Sequence, residues 1–338
     1  MTFANWFAAI LALGLVGTPA SAQQPDLRGV TIATTHVAAN VYMLEASGDV
    51  AGNIAVSIGD DGVLIVDDQW AGLAPQIFAA LAELHSGELK FILNTHHHED
   101  HADGNATMAA RHHPVIVAHD KARTRLQQEG RSAEALPVIT FNEDLSIHFN
   151  KDQVRAIAVP GGHTDNDSVI FFETANVVHM GDLFNAGIAS FPIADLEAGG
   201  NAYQILENVE RISKLIPEDA KIIPGHGPLS DKAGLLAMRD MLSETIRLVQ
   251  DRKAAGMTLP EIQAAGLPAT YDAWGYGYTS ADDWIANIYH SPVIHSPANH
   301  SPVNHSPVNH SPLNQSPASA SSASNMDTSE RGAENTRE

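Results

Sequence analysis

The stretch that decides the fold is Asn94-Thr95-His96-His97-His98-Glu99-Asp100-His101. It directly follows the apolar run Lys90 to Leu93, which is typical of a buried strand. In an extended backbone alternate side chains point the same way, so His96, His98 and Asp100 can converge while the residues between them point elsewhere. His101 follows at the start of the next predicted helix. These four side chains exceed what one zinc ion takes from one loop, and they predict two adjacent metal ions.

Three later segments place the same types of ligand directly after apolar strands. They are Gly161-Gly162-His163, Gly181-Asp182 and Pro224-Gly225-His226. Each lies at the carboxyl end of a predicted strand, where a neighbouring glycine lets the backbone and an ion approach closely. The sequence therefore predicts that His163, Asp182 and His226 join the ligands of the first loop.

Strand-like and helix-like patterns recur in two similar halves of the chain. The predicted strands are Val30 to Thr35, Val41 to Glu45, Asn53 to Ile58, Val63 to Val66, Phe91 to Leu93, Leu145 to Phe149, Val154 to Val159, Ser168 to Phe172, Val177 to Met180 and Lys221 to Ile223. The predicted helices are Pro75 to Leu84, Ala102 to Arg111, Tyr203 to Ile216 and Leu235 to Gln250. This order predicts an α/β domain in which two sheets pack together with helices outside.

The ligand pattern resembles that of the metallo-beta-lactamase superfamily, whose signature is His-x-His-x-Asp-His followed by a later His, an Asp or Cys, and a final His. The resemblance covers about Val30 to Tyr289 and implies a four-layer αββα sandwich with a metal cleft at one edge of the sheets. It assigns one zinc ion to His96, His98 and His163 and a second to Asp100, His101 and His226. Asp182 would bridge both ions. Asp67 matches the aspartate that steadies the histidine loop from behind.

The chemistry implied is hydrolysis by a zinc-bound hydroxide shared between two ions, which act as the cofactors of the enzyme. One ion would polarise the scissile carbonyl of a small-molecule substrate, and the other would stabilise the leaving atom. Asp100, with one free oxygen, is the predicted catalytic residue that orients the nucleophile and passes on its proton. The chain has no cysteine and no Gly-x-Ser-x-Gly motif, so neither a cysteine nucleophile nor a serine elbow competes with this prediction.

The net charge and the amino-terminal sequence restrict the expected partners and location of the protein. Forty acidic and nineteen basic residues give a net charge of -21, which opposes binding to nucleic acid. Residues 1–22 are predicted to be a signal peptide, with an apolar run from Phe7 to Val16 before Ala20-Ser21-Ala22. The mature protein is therefore expected in the periplasm or secreted, with no stable membrane association. Residues 23–290 form the predicted hydrolase domain.

Residues 291–338 are predicted to be a disordered tail. A His-Ser-Pro repeat begins at His290 and recurs every fifth residue to His310, and this proline spacing prevents both helix and central strand. A histidine-rich tract can collect metal ions, and a solvated spacer is an equally good interpretation. The sequence makes no prediction of oligomeric state.

The substrate prediction favours a beta-lactam, whose hydrolysis gives antibiotic resistance, because of the predicted export and the segment Ile222 to Leu236. That segment resembles the final-histidine region of a beta-lactamase subclass. The chain departs from that subclass in its second metal site, where Asp182 replaces the cysteine and His101 is an added ligand. It also has Asn185 in place of the drug-binding lysine. A lactonase or other ester or thioester hydrolase on the same metals is the alternative enzyme. A non-catalytic periplasmic zinc-binding protein is the alternative outside enzymes.

The aromatic residues near the end of the domain allow two interpretations. Tyr271, Trp274, Tyr276, Tyr278 and Trp284 are expected to pack in the core around a final helix. A substrate wall is the alternative.

Overall fold

The computed structural model describes residues 25–187, 190–275 and 277–293. The predicted signal peptide, residues 1–22, lies outside these residues. All of the predicted tail beyond residue 293 lies outside them as well. Among the described residues, none of the helices has the length and continuous apolar character needed to cross a bilayer.

The first sheet has seven strands that follow one another in chain order. They are β1 (Ile32–Ala38), β2 (Val41–Ala46), β3 (Ile54–Gly59), β4 (Gly62–Val66), β5 (Leu89–Leu93), β6 (Val115–His119) and β7 (Ile139–Phe141). Strands β1 to β4 are antiparallel, whereas β4 to β7 are parallel. The carboxyl ends of β4 and β5 therefore lie at one edge, which places Asp67 beside the histidine loop.

The second sheet has six strands in the order β13-β12-β11-β10-β9-β8. They are β8 (Asp144–Phe149), β9 (Asp152–Ala158), β10 (Ser168–Phe172), β11 (Val177–His179), β12 (Lys221–Ile223) and β13 (Ser230–Asp231). Strand β10 runs antiparallel to both β9 and β11, and β12 runs parallel to β11. Strands β9, β11 and β12 consequently end at the same edge of the sheet. The segments that follow them carry His163, Asp182 and His226.

One face of each sheet packs against the other, and helices cover the two outer faces. The helices are α1 (Ala74–Leu84), α2 (Glu99–Ala102), α3 (Asn105–His112), α4 (Asp120–Gln128), α5 (Ala202–Ser213), α6 (Lys232–Ala254), α7 (Leu259–Ala265) and α8 (Ala281–His290). In β10, Ile170 and Phe172 join the core between the sheets, while Val169 and Phe171 join the core under the helices. Burial on both faces explains why this strand is apolar throughout. The predicted four-layer αββα sandwich is confirmed.

Local capping explains where several helices begin. The Asn201 side chain accepts hydrogen bonds from the amides of Tyr203 and Gln204 at the start of α5. Ser280 and Asp283 form a reciprocal capping box at the start of α8. Helix α8 matters for the site, because Asn287 Oδ1 accepts a hydrogen bond of 2.7 Å from the amide of Ala194 and so holds the loop after β11.

The helix predicted from Ala102 to Arg111 is wrong at its start. The chain forms the short helix α2 and then α3, with Asp103 and Gly104 between them. A side chain at residue 104 would lie 2.6 Å from the backbone oxygen of Asp68, so only glycine allows this close approach. The break lets the chain turn between the histidine loop and the outer helix layer.

Candidate metal centre

The histidine loop between β5 and α2 is fixed from behind by Asp67. This residue is fully buried and adopts a φ of 65°, a conformation that aspartate tolerates better than most residues. Its carboxylate accepts hydrogen bonds from the Thr95 amide at 2.7 Å and the Thr95 hydroxyl at 2.8 Å. The Asp68 amide donates to the carbonyl oxygen of His101 at 2.8 Å. The loop therefore has a fixed backbone on which the ligands are presented.

A first cluster brings together His96, His98 and His163. The Nδ1 atom of His98 lies 3.1 Å from His96 Nε2 and 2.9 Å from His163 Nε2. Burial lowers the pKa of His163 to about 4 and holds the pKa of His96 well below its ordinary value. Imidazoles that are neutral at pH 7 have a free nitrogen lone pair to offer a cation. With His98, these two rings bring three imidazole nitrogens together, which is the ligand set of a typical zinc site.

A second cluster brings together Asp100, His101 and His226. His226 Nε2 lies 3.2 Å from Asp100 Oδ2 and 3.4 Å from His101 Nε2. Burial opposes the charge on His226, but the carboxylates of Asp182, Asp100 and Asp49 outweigh it and raise the pKa of His226 to about 10. A metal ion would take the place of that proton.

Asp182 lies between the two clusters. Its Oδ1 atom is 3.1 Å from His101 Nε2, and its Oδ2 atom is 3.7 Å from His163 Nε2. The Oδ1 atom is buried without a well-formed hydrogen bond. Leaving such an oxygen unpaired is costly, because it loses its water and gains no partner. The donor set and this orphaned oxygen fit two metal ions with a carboxylate between them.

The second nitrogen of each clustered histidine has its own partner, as metal-ligating histidines almost always do. The contacts are His101 Nδ1 to Asp67 Oδ2 at 2.8 Å, His163 Nδ1 to the Ile193 oxygen at 2.8 Å, His98 Nε2 to Asp195 Oδ2 at 3.0 Å, His96 Nδ1 to Thr95 Oγ1 at 3.1 Å and His226 Nδ1 to Asp49 Oδ1 at 3.3 Å. The last is an ion-pair distance rather than a well-aligned hydrogen bond. These partners fix which nitrogen of each ring faces the clusters.

Asp195 and Asp49 are site residues that the sequence reasoning missed. Asp195 lies in the loop after β11 and Asp49 in the loop after β2. Neither loop has a periodic pattern, and the partners of these two residues, His98 and His226, are distant in sequence. No signal in a single sequence singles them out from the other acidic residues.

All seven predicted ligands are brought together, but not by one extended segment. Asp100 lies in α2 and joins His101 and His226, not His96 and His98. The expected alternation therefore fails at Asp100, because the chain has already entered a helix. His97 lies in neither cluster, and its Nδ1 accepts a hydrogen bond of 3.1 Å from the side-chain Nδ2 of Asn166.

The clusters open into a cavity of about 690 Å³. His98, Asp100, His163, Asp182 and His226 line one part of it. Its other lining side chains include an apolar and aromatic group and a polar group. The first group is Val50, Trp70, Phe191, Ile193, Leu196 and Tyr278, and the second is Asp49, Asn185, Ser190, Asp195, Glu197 and Asn287.

Of the aromatic residues near the end of the domain, one belongs to the core and another lines the cavity. Trp284 is fully buried and donates a hydrogen bond to Thr245 Oγ1, so it belongs to the core. Tyr278 is 66% exposed and lines the cavity. Tyr276 lies outside the described residues. The cavity therefore offers an apolar surface next to a set of polar and metal-binding groups.

Comparison with curated proteins gives two kinds of relative. The chain is 25% identical over 161 residues to a hydroxyacylglutathione hydrolase from Pelagibacter ubique, covering 47% of this chain and 61% of that protein. It therefore spans less than two thirds of that relative's length. It is 28% identical over 214 residues to a hydroxyacylglutathione hydrolase from Brucella anthropi, covering 59% and 75% of the two chains. With a metallo-beta-lactamase type 2 from Bacillus cereus it shares 23% identity over 220 residues, covering 63% and 83%.

Solved structures agree on the fold. A metallo-beta-lactamase from Pontibacter korlensis aligns with a TM-score of 0.53 and 16% identity, covering 63% of this chain and 99% of that one. The DIM-1 metallo-beta-lactamase aligns with a TM-score of 0.53 and 17% identity, covering 63% and 98%. The family model described as metallo-beta-lactamase superfamily matches residues 47–226, which is more than half of the chain. By its sequence pattern, its layered fold and this match, the chain belongs to the metallo-beta-lactamase superfamily.

Proposed function

We propose that the protein is a dizinc hydrolase that cleaves an acyl bond, an ester, thioester or lactone, in a small molecule. Membership of the superfamily makes it a metal-dependent hydrolase, and the number and identity of the ions and the bond cleaved are the proposal. The observation that carries it is Asp182, whose two oxygens lie toward two different histidine clusters.

The proposed ligands divide as the two clusters do. His96, His98 and His163 would hold one ion, Asp100, His101 and His226 the other, and Asp182 would contact both. When bound, two zinc ions lower the pKa of water toward neutrality and polarise a substrate carbonyl. The partners behind the rings keep each ligand nitrogen in place, so little reorganisation is needed during the reaction.

Asp100 is the proposed catalytic residue. Its Oδ2 atom lies toward His226, at 3.2 Å, and its side chain lines the cavity. Oδ1 is then left to orient a water molecule and to accept its proton. The surrounding imidazoles outweigh the effect of burial and lower the pKa of Asp100 to about 2, so this carboxylate is ionised at neutral pH. After carbonyl attack, the same residue can pass the proton to the leaving group.

Esters and thioesters are favoured over beta-lactams by two features. The second cluster, which is Asp100, His101 and His226, and Asp182 beside it offer only imidazole and carboxylate donors. Asn185 lines the cavity, and its Oδ1 accepts a hydrogen bond from the His226 amide, so it offers no positive charge to a drug carboxylate. The hydroxyacylglutathione hydrolases among the relatives are thioesterases by name, which supports the same class.

Beta-lactam hydrolysis is the second candidate. It is supported by the match that covers 83% of the Bacillus cereus metallo-beta-lactamase. The predicted signal peptide, residues 1–22, adds support, because a periplasmic or secreted enzyme would meet such drugs. Export and location remain part of the proposal.

The test is turnover of a panel by the full chain, metal-free and after zinc is added. The panel holds a thioester, an aliphatic ester, a homoserine lactone, a penicillin, a cephalosporin and a carbapenem. Zinc-dependent thioester, ester or lactone turnover is expected. His96→Ala should abolish it, whereas His97→Ala, the matched control outside both clusters, should keep it. Turnover confined to beta-lactams would move the function to the second candidate, and zinc binding without turnover would leave a zinc-binding protein.

A further inference from the structure

The distribution of positive charge around the cavity is unusual. Among the residues that the structure describes as lining it, none is a lysine or arginine, whereas five are aspartate or glutamate. The same absence extends over long stretches of the sequence, because no Lys or Arg occurs in residues 29–89, 91–110, 156–210 or 254–330. Those stretches contain almost all the cavity-lining residues. Apart from the metal centre itself, an anionic substrate would therefore find no lysine or arginine partner there.

Arg125 and Arg131 have acidic partners of their own. Arg125 Nε lies 2.7 Å from Asp165 Oδ1, and Arg131 pairs with Asp103 and with Glu99. These ion pairs compensate the positive charges locally. None of these arginines lines the cavity.

The acidic residues of the cavity extend beyond the proposed metal ligands. Asp49 and Asp195 line it behind His226 and His98, at 3.3 Å and 3.0 Å from a ring nitrogen of each. Glu197 adds a third carboxylate, and its exposed side chain has no hydrogen bond or ion pair within the part of the chain that is described.

The aromatic side of the cavity suits a cation as well. Tyr278 donates a hydrogen bond of 2.8 Å to the backbone oxygen of Asp49, and Trp70 Nε1 donates one of 2.8 Å to that of Val50. Both rings are thus tethered to the same short segment, beside the Asp49 carboxylate. Aromatic faces next to a carboxylate favour ammonium groups.

We infer that this cavity selects acyl substrates that carry a positive charge and rejects those that carry a negative one, with Glu197 as a specificity-determining residue. The inference rests on the proposed function for its substrate class. It is independent of which acyl bond is cleaved. Like charges within a few ångströms of each other repel most where water is partly excluded, so the discrimination should weaken with added salt.

The test uses three thioesters with the same acyl group and the same chain length on the thiol side. Their thiol side ends in trimethylammonium, in its neutral isostere tert-butyl, or in carboxylate. The chain has no cysteine, so released thiol is measured without background from the protein. The carboxylate thioester should show a kcat/KM at least about tenfold below that of the trimethylammonium thioester at low salt, by the strength of charge repulsion at partly exposed sites.

Glu197→Lys should reduce the ratio of kcat/KM between the trimethylammonium and carboxylate thioesters about three- to tenfold, by the same estimate of charge interaction. The matched control is Glu83→Lys. This substitution changes the net charge by the same amount. Glu83 is also exposed and lies near the end of α1, at the edge of the sheet opposite the metal centre. The control should leave the ratio of kcat/KM unchanged.

A second readout does not depend on turnover. An alkyl trimethylammonium ion should quench the tryptophan fluorescence of the metal-free protein, and an alkyl carboxylate of equal length should not. The Trp70→Phe variant should remove the signal. The metal-free protein is used because a carboxylate would also bind zinc directly.

The outcomes separate the two ideas. Equal kcat/KM for the three thioesters, or faster hydrolysis of the carboxylate, would overturn charge selection and leave the proposed function standing. No zinc-dependent hydrolysis of any ester, thioester or lactone would overturn the proposed function. The fluorescence measurement would then decide charge selection by itself, with equal binding of both ions refuting it.

Discussion

Replacing Asp195 by asparagine isolates one hydrogen bond behind a proposed zinc ligand. Asp195 Oδ2 lies 3.0 Å from His98 Nε2, which leaves Nδ1 to face the first cluster. Burial disfavours charge on His98, but this contact and the carboxylates of Asp100 and Asp182 outweigh it and raise the pKa of His98. When asparagine keeps its Oδ1 on the loop amides of Glu197 and Ala198, its NH2 group takes the place of Oδ2 and cannot accept the Nε2 hydrogen. The ring is then free to carry its proton on Nδ1, where it blocks metal binding.

The expected loss of zinc affinity follows from the strength of this hydrogen bond and its exposure to solvent. A hydrogen bond to a charged group contributes about 1.5 to 3 kcal/mol. The two side chains are 27% and 29% exposed, so the lower end of that range, about 1.5 to 2 kcal/mol, is expected here. Since about 1.4 kcal/mol corresponds to a factor of ten, zinc should bind about 10- to 30-fold more weakly.

The assay is zinc competition against a chelating dye, starting from metal-free protein. The loop itself should stay in place, because asparagine Oδ1 can still accept hydrogen bonds from the amides of Glu197 and Ala198, as Asp195 Oδ1 does at 3.0 Å. Glu197→Gln is the control, since Glu197 is an adjacent carboxylate with no contact to a histidine among the described residues. Wild-type zinc affinity in Asp195→Asn, with an intact fold, would show that Asp195 does not position His98 for metal binding.

Three further predictions concern the residues around the clusters. Burial lowers the pKa of His97 to about 3, so the unfolded chain takes up a proton below pH 6.5 that the folded chain does not. Stability is then lost as the pH falls from 6.5 toward 3, and His97→Gln should reduce the loss between pH 7 and pH 5 by about 2 kcal/mol in urea unfolding. An equal loss in both proteins would contradict this. Asp67→Asn should lower the free energy of unfolding by about 3 to 5 kcal/mol, since it breaks a fully buried pair with His101; a change below about 1 kcal/mol, the usual worth of an exposed ion pair, would count against a supporting role for Asp67. In Gly225→Ala the new Cβ would overlap Asp182 Oδ1, so metal analysis should find less zinc bound, whereas Gly275→Ala, with its nearest atom at 3.5 Å, should bind the wild-type amount.

Most of the strands and the ligand positions were predictable from short-range pattern, although β6 (Val115–His119) was not predicted. The predicted strand Ser168 to Phe172 coincides with β10, and the predicted helix Pro75 to Leu84 differs from α1 by one residue. These segments are fully or one-sidedly buried, so their apolar period records their structure directly. Glycine beside His163, Asp182 and His226 indicated strand ends, which the parallel strands bring to one edge.

Other features depend on contacts between distant parts of the chain. The break after Ala102 is set by the close approach of Gly104 to Asp68, which no local pattern encodes. The strand β13 has two residues, and of the three residues of β7 only Phe141 is buried, so neither has a recognisable apolar run. Asp195 meets His98 across 97 residues of sequence, so its role behind the ligand is visible only in the folded chain.

The proposed site holds two metal ions side by side with Asp182 between them. The most direct test is a crystal structure of the zinc-loaded protein with anomalous difference maps collected on both sides of the zinc absorption edge. Two zinc peaks about 3.5 to 4 Å apart are expected, one among His96, His98 and His163 and one among Asp100, His101 and His226. A single peak with the second cluster empty, or zinc bound only outside both clusters, would contradict this expectation.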